Sequence, residues 1–407
     1  MLPVARFVLS PLRAGCARYT VRMLQHPPLA LYIHIPWCVR KCPYCDFNSH
    51  AAPQDLPVQA YVQALLADLE QDLPLVWGRP INSIFFGGGT PSLFSGSAIN
   101  EILRGVAARL PLRPDLEVTL EANPGTAEFD HFEAYRDAGV NRLSFGIQSF
   151  DDVCLSRLGR IHDCAQAERA FGLARRAGFD NINLDLMYAL PGQTLPMALS
   201  DLQRAIQLAP EHLSHYQLTL EPNTVFAARP PSQLPDEDAA WDMQEACQGM
   251  LSEHNYAQYE VSAYARAGRQ CAHNINYWRF GDYLGIGAGA HAKLTLPAEQ
   301  GMLRRWKIKH PQAYLAHASS EQRIGGDEWI KPDARPFEFM LNALRLNEGS
   351  DCATFEFRTG LVRGVLHDSL SRAHQRGWLE VEGDMFRAST LGQRFLNDLV
   401  ELFLPNA

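Results

Sequence analysis

The sequence predicts an α/β fold: a partial, TIM-like (β/α)6 barrel followed by a C-terminal winged-helix-like α+β domain. Two patterns predict the barrel. From residue 29 to about 225, a β-branched or aromatic run, a polar turn and an amphipathic stretch recur. Alternation of that kind builds parallel strands joined by right-handed crossovers. Each run also ends in glycine or polar residues, where β/α barrels assemble their active sites. A third pattern, from about residue 326, is helices followed by a hairpin, and it sets the C-terminal module apart.

In chain order, the first 28 residues are an extension. Its first 22 carry Arg6, Arg13, Arg18 and Arg22 and no Asp or Glu, the composition of an organelle transit peptide. An over-long start, with Met23 the working initiator, is the simpler reading. Strands are then expected at Leu31–Ile35, Ser83–Phe86, Glu117–Leu120, Arg142–Ile147, Ile182–Met187 and His212–Leu218. Between the first two, Val62, Leu65, Leu66 and Leu69 share one face of a helix over Val58–Leu73. The barrel is expected over 29–268. A less regular connecting region follows over 269–325, holding His273-Asn274-x-x-Tyr277-Trp278. In the final domain, 326–407, helices are expected at Phe337–Leu346, Leu361–Arg376 and near Thr390–Phe403. A hairpin is expected from 377–381 and 385–387.

Composition narrows the function. The 407 residues are 46% hydrophobic and 20% charged, as in ordinary globular proteins. A net charge of −8 argues against nucleic-acid binding through bulk charge. No dense basic recognition helix is visible in the C-terminal domain, which reads as a packing or covering unit. No apolar run is long enough to span a membrane. The nine cysteines are odd in number, and six of them are scattered. That suits a reducing compartment, so the cytoplasm is expected, with the mitochondrion the alternative if the extension targets the chain.

The other three cysteines carry the chemistry. Cys38, Cys42 and Cys45 form a C-x3-C-x2-C run directly after the first strand. Thiolates hold iron–sulfur clusters. Three of them on a four-iron cluster leave one iron open for a ligand. Zinc usually takes four ligands in paired C-x2-C units, and no second pair exists here. Gly87-Gly88-Gly89 after the second strand lets backbone approach a ligand closely, although a tight strand-to-helix turn needs the same residues. Glu121, Gln148, Arg160 and Asp185 lie at or just beyond strand ends. They suit ligand hydrogen bonds, or bonds among themselves. His273, taken alone, reads as a histidine hydrogen-bonded within a loop, with Tyr277 and Trp278 in the core.

The cysteine run, Tyr44 and Gly87-Gly88-Gly89-Thr90-Pro91 together resemble the radical S-adenosylmethionine superfamily. Leu31-Tyr32-Ile33-His34-Ile35-Pro36-Trp37-Cys38, Cys45-Asp46-Phe47-Asn48-Ser49-His50 and the later His-Asn-x-x-Tyr-Trp run are similar to its HemW branch of haem chaperones. That branch is related to oxygen-independent coproporphyrinogen III oxidase. The resemblance spans nearly all of the chain after residue 28. It implies that Cys38, Cys42 and Cys45 ligate a [4Fe–4S] cluster whose fourth iron takes S-adenosylmethionine. It implies S-adenosylmethionine contacts from Tyr32, Tyr44, Gly88, Gly89, Thr90, Glu121, Gln148, Arg160, Asp185 and Thr219. It also implies haem contact at His273, with Cys271 a rival. The partners implied are haem and client haem proteins, membrane-bound ones included. The chain departs from the oxidase at Phe47, where that branch has a fourth cysteine. The resemblance therefore favours a chaperone over an oxidase using a 5′-deoxyadenosyl radical. A winged-helix regulator with a structural cluster is the third reading.

Overall fold

The computed structural model describes residues 23–124 and 132–405. The targeting or start reading of residues 1–22 lies outside the described residues.

Six parallel strands follow one another in order: β1 (Leu29–Ile35), β2 (Ile81–Gly88), β3 (Leu112–Ala122), β4 (Arg142–Gln148), β5 (Ile182–Tyr188) and β6 (His212–Gln217). They form the partial barrel. Helices cover its outside: α1 (Val58–Val76), α2 (Gly96–Ala107), α3 (Phe132–Ala138), α4 (Asp152–Arg157), α5 (Cys164–Arg176) and α6 (Leu195–Leu208). Local chemistry starts these helices where they are. The Ser95 side chain accepts from Ala98 N ahead of α2. Asp163 and Gln166 form a capping box ahead of α5. α1 runs three residues past the expected end, since Pro74 falls in its last turn and Val76 still packs in the core.

Strand alternation divides each strand between two environments. Leu29, Leu31, Ile33 and Ile35 of β1 face the helices, as do Leu143, Phe145 and Ile147 of β4. Tyr32 and His34 face the lumen, as do Ser144, Gly146 and Gln148. Register carries this around the barrel: Tyr32 lies beside Phe85, Phe85 beside Thr119, and Thr119 beside Arg142. One layer up, Glu121 lies beside Ser144, and Gly146 beside Asp185, itself beside Ser214. β/α barrels commonly fill their interior with branched aliphatics. Here the interior is polar, so it is a chamber rather than a core.

The sheet does not stop at β6. Strands β7 (Ala257–Glu260) and β8 (Ala263–Ala265) add antiparallel pairing there, after α7 (Glu237–Glu253). The region expected as an irregular connector contains α8 (Ala272–Trp278), β9 (Asp282–Ile286), β10 (His291–Leu296) and β11 (Gly301–Lys307). β9 pairs parallel with β1, and β10, β11 and β12 (Ile324–Trp329) follow antiparallel. The sheet has 12 strands in the order β12-β11-β10-β9-β1-β2-β3-β4-β5-β6-β8-β7. Helix α9 (Pro311–His317) lies between β11 and β12.

Charge hides these strands from a hydrophobicity reading. Lys307 of β11 is fully buried and pairs with Asp68 and Asp72 of α1. Arg323 joins the same carboxylates at 2.8 and 2.6 Å, and Arg305 reaches Asp72 at 3.0 Å. Each cation reaches a carboxylate of α1 more than 230 residues away in the chain, and Arg305 also pairs with Asp327 of β12.

The C-terminal unit packs a second core of Phe339, Met340, Phe355, Leu379 and Phe386 against Phe280 and Met302. Its helices are Arg335–Ala343, Cys352–Thr359 and His367–Gln375, followed by the hairpin Leu379–Glu382 with Met385–Ala388. Two expected helices are shorter or divided. Arg363–Leu366 is a 3-10 turn, and the last helix breaks at Phe395 into Thr390–Arg394 and Leu396–Glu401.

Candidate cluster and nucleotide site

A cavity of about 530 Å³ opens at the carboxyl ends of the strands. Cys38, Cys42 and Cys45 line one wall. They ride on a loop closed by a short parallel pair, Trp37 beside His50 and Cys38 beside Ala51. Cys45 N donates to Cys42 O at 3.2 Å, and Cys45 Sγ lies 3.9 Å from Ser49 Oγ. Burial pushes the Cys38 and Cys45 thiols up. All eight cysteines among the described residues are free thiols. No group of three His, Cys, Asp or Glu among those residues is placed to hold one metal ion.

Gly88, Gly89, Thr90, Glu121, Gln148, Arg160, Asp185, Thr219 and Tyr44 line the same cavity. The glycine turn is pressed against the cysteine loop. Gly89 N donates to Ile35 O, and Thr90 N to Trp37 O, both at 2.7 Å. A Cβ on Gly89 would lie 2.5 Å from Trp37 O. Gly88 has φ +116°, and a Cβ there would lie 2.5 Å from the His34 ring. These glycines are needed first to bring β2 and the cysteine loop together.

The polar wall is partly tied together. Gly88 N donates to Glu121 Oε2 at 3.2 Å. Arg160 Nη2 donates to Gly146 O at 2.6 Å and to Asn123 Oδ1, while Nη1 lies 3.5 Å from Cys42 Sγ. Asn123 Nδ2 donates in turn to Thr90 Oγ1 at 2.9 Å. Asp185 accepts from Asn183 Nδ2 at 2.8 Å and Ser144 Oγ at 3.2 Å. Gln148 has φ 71°, a rare value for a residue with a Cβ, and accepts from Tyr216 OH at 3.1 Å. Loss of water pushes the Glu121 carboxyl up to about 8, with Asp185 adding to the shift. Burial raises Asp185 and the Tyr44 phenol in the same direction.

Tyr32 lies outside this cavity, and Thr219 only at its rim. Tyr32 lines two neighbouring cavities, and its hydroxyl is 3.0 Å from His34 Nδ1. Thr219 is exposed at the mouth and donates to Glu221 Oε1 at 2.7 Å. His273 sits deep in the lumen, 1% exposed, on α8. Glu117 of β3 anchors that helix by accepting from Ala272 N and His273 N at 3.1 and 3.2 Å. Both ring nitrogens of His273 are engaged, Nδ1 with Ser83 Oγ at 3.0 Å and Nε2 with Tyr277 OH at 3.3 Å. An iron reaching His273 would have to break one of those contacts. The rival Cys271 is fully enclosed, its sulfur 3.6 Å from Glu117 Oε1.

Asn123, Arg142, Ser144, Asn183 and Tyr216 were not singled out from the sequence, yet all face the chamber. The alternation of the strands would have found all but Asn123. Arg142 is 2% exposed, and its Nε has no hydrogen-bond partner among the described residues.

The chain is similar to known proteins. Residues 32–205 match the Radical SAM superfamily, and residues 330–395 match the HemN C-terminal domain. The chain is 51% identical over 382 residues to "Heme chaperone HemW" of Escherichia coli, covering 94% of this chain and 100% of that one. It is 50% identical to the protein of the same name from Haemophilus influenzae, covering 93% and 98%. "Radical S-adenosyl methionine domain-containing protein 1, mitochondrial" of Mus musculus is 39% identical, covering 78% and 72%. In structure, coproporphyrinogen III oxidase (HemN) from Escherichia coli superposes with a TM-score of 0.78 at 22% identity, covering 93% and 90%. That last likeness establishes the fold alone. The chain belongs to the HemW family of the radical SAM superfamily.

Proposed function

We propose that the chain is a haem chaperone that carries a [4Fe–4S] cluster and S-adenosylmethionine and hands haem to client haem proteins in the cytoplasm, membrane-bound clients included. The observation that carries this reading is the 51% identity, over 94% of this chain, to a protein named as a haem chaperone. Phe47 supports it against the oxidase reading: the side chain is 58% exposed and offers no ligand atom.

The residues fit the two cofactors. Cys38, Cys42 and Cys45 would hold three irons, and the fourth would face the cavity. When bound, the cluster supplies one electron to the sulfonium of S-adenosylmethionine. The protein's part is to bind and orient. Gly88, Gly89 and Thr90 offer backbone groups to the methionyl end. Glu121, Gln148 and Asp185 offer acceptors to amino and hydroxyl groups. Arg160 offers a cation between the cysteine loop and β4. Tyr44 closes the side of the cavity against Phe226.

Anaerobic reconstitution with iron and sulfide tests the assignment. The expected result is a charge-transfer spectrum that S-adenosylmethionine perturbs, followed by uptake of added haem. Conversion of coproporphyrinogen III to protoporphyrinogen by the same preparation would replace the chaperone with the oxidase.

A further inference from the structure

A second cavity, of about 400 Å³, opens beside the first and shares Asp46, Phe47, Gly88 and Glu121 with it. It lies between the cysteine loop, β1 and the turn joining β9 to β10. Pockets of 300–1,000 Å³ are the usual size for small-molecule and cofactor ligands. We propose that this cavity seats haem, with His291 as the axial ligand to iron. The proposal rests on the haem-chaperone reading and moves the iron away from His273.

Three imidazoles line the lumen and this cavity: His34, His273 and His291. Iron needs a ring nitrogen with a free electron pair. His34 is engaged on both sides, by Tyr32 OH at 3.0 Å and Asn48 O at 2.8 Å. His273 is engaged on both sides and sealed from solvent. His291 is exposed, and its ring lies stacked on its cross-strand partner Trp306, centroids 6.2 Å apart. Burial and the nearby charges of Lys309 and Arg304 push its pKa down, which favours the neutral ring.

The aromatic walls of the cavity suit a flat macrocycle, and its Asp46 and Glu121 carboxylates require the acidic edges to turn toward Lys309. Phe47 presents an exposed aromatic wall, and Tyr283 packs edge-on to Tyr277 at 4.4 Å. Lys309 supplies a cation for a propionate. The seat is open to solvent, as cargo that must leave requires. It is also tied to the cluster site. Asn48 Nδ2 donates to Ala288 O and Lys309 O, both at 2.9 Å, so the loop bearing the cysteines is pinned to the far wall of the haem seat.

The test is a titration of the full chain, with and without reconstituted cluster, using ferric haem and following absorption and magnetic circular dichroism. Unmodified protein is expected to show an imidazole-ligated haem. His291→Ala is expected to lose that signature and to bind roughly tenfold or more weakly, and free imidazole is expected to restore the spectrum. Lys309→Glu is expected to weaken binding while keeping the signature. An unaltered spectrum and affinity in His291→Ala would overturn the seat, as would loss of the signature in His273→Ala alone. If the unmodified protein takes up no haem, the chaperone reading falls as well. If it does and only the His291 result fails, the chaperone reading stands without this seat.

Discussion

Two of the buried polar networks differ in how far they are satisfied. Under β11 and β12, Asp68 accepts from Lys307, Arg323, Tyr314 OH and Gly287 N, and Asp72 accepts from Lys307, Arg323 and Arg305. Every charge there has an opposite neighbour. In the barrel lumen the accounting is incomplete. Arg142 Nε and Arg160 Nε lack partners among the described residues, and Glu121 carries a carboxyl shifted to about 8. A saturated network holds elements together. An unfinished one, in a cavity, marks where a ligand completes the bonding.

The largest effect is expected where saturation is broken. Lys307→Met leaves two buried carboxylates with one cation fewer, and removing one partner of a buried ion network costs about 3–5 kcal/mol. Urea denaturation should show that loss, and a change under about 1 kcal/mol would mean the cluster is not structural. The lumen should respond in the opposite sense. Glu121→Gln removes a carboxylate that burial disfavours. A carboxyl with a raised folded-state pKa contributes stability below its unfolded value, lost as pH rises through the folded value. The unmodified protein should therefore lose stability relative to Glu121→Gln as pH rises from the ordinary glutamate range to about 8. Parallel pH profiles for the two would contradict the burial of this group. S-adenosylmethionine affinity, by the reading above, should fall in the same variant.

A smaller effect is expected at the seam between the cysteine loop and β2. In Gly89→Ala the new Cβ would meet Trp37 O at 2.5 Å, and one strand end must move. A cost of about 1–3 kcal/mol is typical of overpacking. The sharper readout is iron retained per chain after gel filtration. Iron content equal to that of the unmodified protein would show that the turn and the cysteine loop can part without consequence.

The same contrast explains what the sequence discloses. The six barrel strands are legible because outward-facing apolar residues alternate with polar ones, and the expected strands fall inside the observed ones apart from Leu218, one residue past the end of β6. β3 starts earlier than expected, at Leu112, because Arg113, Pro114 and Asp115 interrupt its pattern at an exposed end. β9 to β12 escaped because Lys293, Arg304, Arg305 and Lys307 look like loop residues until their partners are known. Asp282, the partner of Lys293, is only 11 residues away, but Asp68 and Asp72 lie in a distant segment, so no local window contains the reason Lys307 is buried. The cysteine run was legible because its spacing is local. The surroundings of His273 were only half legible: Tyr277 is one helical turn on, but Ser83 closes on it from 190 residues away.

Thr219 tests the comparison at its weakest point. It lines the first cavity, yet it is exposed and its hydroxyl already has a partner in Glu221. A group so placed neither lacks a bond in the free protein nor loses water on folding. Thr219→Ala should therefore change stability by less than about 0.5 kcal/mol. Its effect on S-adenosylmethionine affinity should be no more than about threefold, the worth of one solvent-competed hydrogen bond. Arg160→Lys is the useful contrast. A lysine cannot reproduce the fork that meets Gly146 O and Asn123 Oδ1 while facing Cys42. If equilibrium binding gave Thr219→Ala the larger loss of the two, incomplete hydrogen bonding would be the wrong guide to this site, and the exposed rim would matter more than the lumen wall.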